Sequence, residues 1–171
     1  GNNTMTLDAA SAMQSAGNIS GAITAADGAN VAISGGTYTQ DVSNWCAEGF
    51  MTQQNADGSF GIAPAAAKVG TKNYASLAAA YEAAVNGDVI VLYESVTTFP
   101  VINKAVTFKG GKENAAVEIN YALSQNFTAI DGTVKFENLT FNKPLFTEQG
   151  GTKPGLTIEF EGCNFNVPSD Q

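Results

Sequence analysis

Residues 73–110 read NYASLAAAYEAAVNGDVIVLYESVTTFPVINKAVTFKG, and the interpretation of this stretch decides the fold. Asn73 is placed to cap a helix from Tyr74 to about Asn86, and Gly87 stands where the chain must leave it. Tyr74, Leu77, Ala78, Tyr81, Ala84 and Val85 fall on one apolar stripe at helical spacing. Asp88 then introduces VIVLY, a β-branched apolar run suited to a strand buried on both faces. After the polar turn at Glu94 and Ser95, Val96 to Ile102 and Ala105 to Phe108 supply two further strands, the second ended by Gly110 and Gly111.

Downstream, a nine-residue pattern repeats. VKFENLTFN at 134–142 aligns without gaps on IEFEGCNFN at 158–166, an offset of 24 residues that sets Val134 on Ile158, Phe136 on Phe160, Leu139 on Cys163 and Phe141 on Phe165. VAISGGTYT at 31–39 fits the same pattern. If each copy is a strand, a corner near Asn138 or Gly162 and a second strand, copies stacked in register form ladders of like side chains, and each coil buries its apolar face on the next. A sandwich with two antiparallel strands per copy would explain the alternation but not the constant offset.

Upstream, Ile19, Val31, Ile33 and Tyr38 alternate between turns at Asp27-Gly28 and Gly35-Gly36. QDVSNWCAEGF carries a single helical turn headed by Asp41 or Ser43, with Trp45, Cys46 and Phe50 packing together. MTQQNADGSFGIA reads as a hairpin about Asn55 to Gly58, and the Ala/Pro run at 63–67 as a linker. The chain is expected to divide there. Residues 1–66 would be the end of a preceding β-helix-like segment with a helical turn and a hairpin, and 67–171 the start of a β-helix with a capping helix and repeated coils.

Composition narrows the chemistry. Of 171 residues only 14% are charged, against about 25% in ordinary soluble domains. All eight bases are Lys, opposed by 16 acids for a net charge of −8, and the chain has neither Arg nor His. Serine-type triads, His-containing metal sites and Arg clamps on phosphate or carboxylate cannot be built from it, and nucleic acid is not an expected partner. No run of 18 apolar residues occurs, so no membrane span is expected. GNNTMTLDAA shows neither a charged n-region nor an apolar h-region, and a chain running from Gly1 to Gln171 would suit a piece of a longer protein. Asn-x-Ser/Thr triplets at Asn2, Asn18, Asn126 and Asn138 are what an Asn- and Thr-rich chain throws up by chance.

The run from Tyr74 to Gly110, a helix followed by NGDVIVLYESVT and PVINKAVTFKG, resembles the opening of right-handed parallel β-helix proteins of the pectate-lyase-like superfamily. ISGGTYTQDVSNWCAEGF and the hairpin after it are similar to repeat modules in large surface proteins of gut bacteria. The resemblance implies a mostly β chain, a right-handed parallel β-helix or solenoid with a short N-terminal capping helix (about residues 74–86) and a small β-rich segment before it. It also implies an extracellular or cell-surface bacterial location. Enzymes of that superfamily act on acidic polysaccharides with Arg and paired Asp, or with Asp-bound calcium, and the missing Arg departs from that pattern.

Candidate sites are few. Glu137 and Glu161 hold equivalent repeat positions, and stacked strands would set them about 5 Å apart, the geometry of a retaining glycosidase pair; the plainer interpretation is a solvated acidic ladder. Asp27, Asp57, Asp88 and Asp131 sit beside turns without the ligand spacing of a calcium loop, so turn chemistry is preferred. Phe108, Phe136, Phe141, Phe160 and Phe165 read as interior stacks, not a sugar platform. Trp45 is the one speculative glycan contact. Cys163 replaces Leu139 in the repeat and is expected as a buried free thiol, the alternative being a disulfide to Cys46.

These readings converge on a non-catalytic module of a bacterial cell-surface or secreted protein, with a spacer, adhesion or presentation role. No catalytic, cofactor or metal residue is assigned. Expected partners are glycans or host surface proteins, neighbouring modules of the same parent chain, and a second copy joined end to end. The alternatives are a carbohydrate-binding or degenerate carbohydrate-active module and a phage or virion fibre segment.

Overall fold

The computed structural model describes residues 5–7, 12–13, 18–19, 23–25, 29–112, 116–123, 126–128, 130–145 and 154–166. The chain divides into two compact units, 1–65 and 66–171.

In the first unit, β1 (Met5–Leu7), β2 (Ala12–Met13), β3 (Asn18–Ile19), β4 (Ile23–Ala25), β5 (Asn30–Val31) and β6 (Thr37–Tyr38) are short. Parallel pairs join β1 to β4, β2 to β5 and β3 to β6. A 3₁₀ turn at Ser43–Trp45 follows, with the Asp41 carboxylate accepting from Ser43 N (2.9 Å) and Thr52 Oγ1 (3.1 Å). Then β7 (Phe50–Gln54) and β8 (Phe60–Pro64) form an antiparallel hairpin whose second strand also runs antiparallel to β6. Turn chemistry closes that hairpin. Gly58 takes φ 84°, and Asp57 Oδ1 accepts from both Ser59 N (3.0 Å) and Ser59 Oγ (2.6 Å). Ile23, Ile33, Tyr38 and Val42 are the buried centre, with Val31, Trp45, Phe60 and Ile62 packed on it.

The second unit opens with another hairpin, β9 (Ala67–Val69) and β10 (Lys72–Tyr74), turned by Gly70 at φ 57°. Helix α1 (Leu77–Ala83) comes next, and Ser76 is its N-cap, the hydroxyl accepting from Ala79 N at 3.2 Å. Six strands then build two parallel ladders: β11 (Val89–Leu92), β12 (Thr107–Gly110), β13 (Val117–Ile119), β14 (Gly132–Glu137), β15 (Leu139–Phe141), β16 (Leu156–Glu161), with the short β17 (Asn164–Phe165) closing the series. The larger sheet has the order β10-β9-β11-β12-β14-β16 and the smaller β13-β15-β17. Asn138, at φ 54°, turns the chain from β14 into β15, and Gly162, at φ 60°, does the same between β16 and β17. The left-handed backbone suits Asn and Gly at these corners.

The two aligned nonapeptides are hydrogen-bonded neighbours. Val134 lies opposite Ile158, Phe136 opposite Phe160 and Phe141 opposite Phe165, all in parallel register. Phe108, Phe136 and Phe160 stack with ring centroids 5.4 and 5.5 Å apart, and Phe141 stacks on Phe165 at 5.3 Å. Edge contacts between the two stacks, Phe136 to Phe141 at 5.5 Å and Phe141 to Phe160 at 5.7 Å, lock the sheets together. Tyr81 extends the first stack onto the helix, 6.0 Å from Phe108.

The helix is fixed from below. Lys104 Nζ donates to the carbonyls of Tyr81 (2.7 Å), Glu82 (2.9 Å) and Ala84 (2.8 Å), occupying acceptors that a helix end leaves free. The same ammonium lies 4.9 Å from the Tyr81 ring, whose hydroxyl accepts from Asn103 N and Lys104 N. Burial pushes the Tyr81 phenol above its ordinary pKa.

Three expectations are corrected here. The parallel β-helix or solenoid is overturned by sheets of 2, 6, 3, 2 and 4 strands among the described residues, of which the 6- and 4-stranded sheets are mixed, with antiparallel pairs at β6/β8, β7/β8, β9/β10 and β9/β11. The turns at Gly58 and Gly70 double the chain back on itself, so neighbouring strands reverse where a coil would have continued in one sense. The helix expected over 74–86 is confined to Leu77–Ala83, because Tyr74 is engaged in β10 opposite Ala67 and the chain is already extended at Ala84. The Ala/Pro stretch expected to be a linker ends β8 and begins β9.

Candidate functional site

Strand alternation sends Phe136 and Phe160 inward and Lys109, Lys135, Glu137, Glu159 and Glu161 to the outer face of the larger sheet. Glu137 and Glu161 are direct neighbours there, as the repeat alignment placed them. They are not left facing one another. Lys135 Nζ reaches Glu137 at 2.7 Å and Glu161 at 2.6 Å, and Lys109 Nζ approaches Glu137 at 3.3 Å. The resulting row, Lys109, Glu137, Lys135, Glu161, alternates in sign across three strands.

The electrostatic consequence is opposite to what glycoside hydrolysis requires. A retaining pair needs one carboxyl held protonated near neutrality. The hydrogen bond donated by Lys135 holds Glu137 below the usual carboxylate range, and the hydrogen bonds Lys135 donates to Glu137 and Glu161 raise it above the usual ammonium range. Both partners are therefore charged at neutral pH, and Glu137 has no proton to give a leaving group.

A groove of about 730 Å³ runs along the corner between the two sheets, lined by Lys109, Lys112, Asn138, Thr140 and Asn164 with the backbone of Gly110, Gly111 and Gly162. Glycine is required for its floor. A Cβ on Gly110 would lie 2.3 Å from the Asn138 carbonyl oxygen, and one on Gly162 would lie 2.5 Å from Asn138 Oδ1. A volume in this range suits a small ligand, and amide, hydroxyl and ammonium groups are the chemistry that binds sugar hydroxyls or carboxylates. No carboxyl group is among its described lining residues. A smaller hollow of about 260 Å³ beside the helix start is lined by Ser76, Ser95, Thr97, Thr98 and Phe99, among others.

Trp45 belongs to the first unit. It is half-buried against Ile23, Ile33, Tyr38 and Val42, and its carbonyl accepts from Ile33 N at 2.7 Å, so its main role is packing at the end of the 3₁₀ turn. The groove residues belong to the second unit, and the sequence marks none of them as a binding site. The available signal was the set of small and left-handed corner residues, Gly110, Asn138 and Gly162. Of the turn aspartates, Asp57 is lowered in pKa chiefly by the Ser59 hydroxyl, and Asp88 Oδ2 accepts from Val85 N at 2.8 Å just past the helix. Asp27 lies outside the described residues. Of the Asn-x-Ser/Thr triplets, the one at Asn126 has its Asn buried, donating to the carbonyls of Phe99 (2.8 Å) and Pro100 (3.0 Å).

Cys46 and Cys163 are both free and half-buried. Cys163 Sγ lies 3.3 Å from the Phe136 carbonyl, and burial raises the Cys46 thiol, with the Asp41 charge adding to it. The Cys46 thiol therefore lacks the depressed pKa of a nucleophile. Among the described residues no three His, Cys, Asp or Glu side chains come together to hold a metal ion, and no helix is long and apolar enough to cross a membrane.

No family model, no curated protein and no solved structure matches the chain, and the resemblance to pectate-lyase-like modules has no counterpart among them.

Proposed function

We propose that this chain is a non-catalytic structural module that spaces or presents neighbouring parts of a longer polypeptide. The observation that carries the proposal is the lysine between the two repeat carboxylates. The repeat-related pair whose spacing could serve glycoside hydrolysis is held in an ion-paired row, with Glu137 more acidic than usual. What the ladders do instead is mechanical. Phe108, Phe136 and Phe160 stack from strand to strand, and the outward Glu161 and Asn142 meet an ammonium and an amide. An exported location, outside a bacterial cell, goes with this reading.

The test is product release from a panel of neutral and uronic-acid polysaccharides, read as new reducing ends and as absorbance of unsaturated sugars. No release above buffer is expected. Turnover that disappears in Glu137→Gln or Glu161→Gln would refute the proposal.

A second reading, glycan binding without turnover, is favoured by the polar groove at Asn138, Thr140 and Asn164. Glycan-array binding lost on Asn138→Ala, but retained on Trp45→Ala, would place the contact in that groove. Loss on Trp45→Ala alone would place it in the first unit.

A further inference from the structure

The larger sheet ends at β16 and the smaller at β17, and among the described residues no strand pairs with the far side of either. Gly162 joins these two strands, so both edges belong to one strand, corner, strand segment, 156–165. Several ladders stop there together. The Phe108, Phe136, Phe160 stack ends on Phe160, 37% exposed, and the Phe141, Phe165 stack ends on Phe165, 49% exposed, whereas Phe108, Phe136 and Phe141 are fully buried. An amide ladder runs from Asn142 Nδ2 to Asn120 Oδ1 (2.9 Å) and from Asn166 Nδ2 to Asn142 Oδ1 (3.3 Å), leaving Asn166 as its last member. On the outer face the row of alternating charge finishes with two exposed acids, Glu159 and Glu161.

We infer that the β16/β17 edge is a docking site for an extended polypeptide segment that adds one strand to each sheet. Its chemistry is set by what the edge lacks: an apolar residue and an aromatic flanking a lysine, then a corner, then an aromatic followed by Asn. The aromatics continue the two stacks and the Asn continues the amide ladder. The lysine falls opposite Glu159 and within reach of Glu161, as Lys135 does from the other side of β16. Main-chain hydrogen bonds to an open edge supply affinity, and side chains of alternating direction supply the choice of partner.

A second copy of this chain fits the edge poorly. Two such edges face to face would bring Glu159 and Glu161 against their own equivalents, in a chain whose net charge is already −8. Like charges directly opposed on paired strands are destabilising. Charge complementarity therefore favours a lysine-bearing segment of another polypeptide.

The probe is a fluorescent synthetic peptide with the sequence of residues 130–143, IDGTVKFENLTFNK, which carries the required pattern and already packs on β16 and β17 within the chain. Titrated with the full chain, its anisotropy should rise to saturation. Phe165→Ala in the chain removes half-exposed surface and should weaken binding about tenfold, the scale of one lost aromatic stack with its buried area. Glu159→Lys should weaken it about threefold, and a peptide carrying Lys135→Glu should reverse that preference. The inference is overturned if binding is not saturable, or if Phe165→Ala leaves it unchanged while circular dichroism shows the variant folded. It is likewise overturned if light scattering finds the chain dimeric and Phe165→Ala makes it a monomer, which would assign the edge to a second copy.

Discussion

Replacing Phe136 by Ala removes the ring at the crossing of both aromatic stacks. That ring is fully buried, stacked between Phe108 and Phe160, and edge-on to Phe141. Deleting a buried Phe side chain costs about 3–5 kcal/mol through lost transfer energy and the cavity left behind. The upper half of that range applies, because the neighbours that would have to collapse into the gap are themselves held in register by strand pairing. Phe165→Ala is the internal control. Its ring stacks on Phe141 and meets Phe160 edge-on but is already half exposed, so roughly 1–2 kcal/mol is expected from the area actually buried. Urea unfolding followed by circular dichroism separates the two: with a slope near 2 kcal/mol per molar, Phe136→Ala should lower the midpoint by about 2 M and Phe165→Ala by less than about 1 M. Equal shifts, or a Phe136 effect below about 1 kcal/mol, would refute the packing described for the ladder.

Three further outcomes follow from the same geometry. Lys104→Met should cost about 1.5–3 kcal/mol, because three helix carbonyls lose a charged donor, and should show first as faster amide exchange in residues 80–84. Gly110→Ala should be strongly destabilising, since its Cβ would collide with the Asn138 backbone, whereas Gly58→Ala meets no atom and should lose only the cost of its positive φ; thermal denaturation ranks the two. The charged row should make stability pH-dependent in two windows. Glu137, depressed in the folded state, contributes above the ordinary Glu pKa of about 4.3 and loses that contribution as pH falls through its folded value. Lys135, raised in the folded state, contributes below the ordinary Lys pKa of about 10.4 and loses it as pH rises further. Lys135→Met should flatten both limbs, and added salt should mimic it in wild type because the row is solvent-exposed.

What could be read from the chain was whatever depends on short, periodic signals. The nonapeptide alignment gave the strand partners of Val134 to Glu137, Thr140 and Phe141, because strand pairing in register demands like residues at like positions. The hairpin at Asn55 to Ser59 was legible from its turn residues. Strand direction was not, because a Gly-containing turn that reverses the chain and a corner that continues it draw on the same small residues; Gly70 reverses and Gly162 does not. The helix boundary moved because Lys72 to Tyr74 pair with Ala67 to Val69, a tertiary choice that overrides helical spacing at Tyr74. Lys104 could not be identified at all, since its acceptors lie 20 or more residues away. The pair Glu137 and Glu161 was found from the repeat, whereas the lysine that neutralises it became visible only once Lys135 was seen to span two strands.

The register of residues 158–166 on 134–142 underlies both the ion-paired row and the open edge, and cross-linking tests it most directly. Thr133 and Thr157 are exposed in-register neighbours, and adjacent strands about 4.8 Å apart are within the Cα separation a disulfide accepts. In a Cys46→Ser, Cys163→Ser background, Thr133→Cys with Thr157→Cys should oxidise to a bond found by mass spectrometry of the digested protein. Thr133→Cys with Glu161→Cys, displaced by four positions along the strand, should remain reduced. A bond in the displaced pair, or none in the aligned one, would contradict the register.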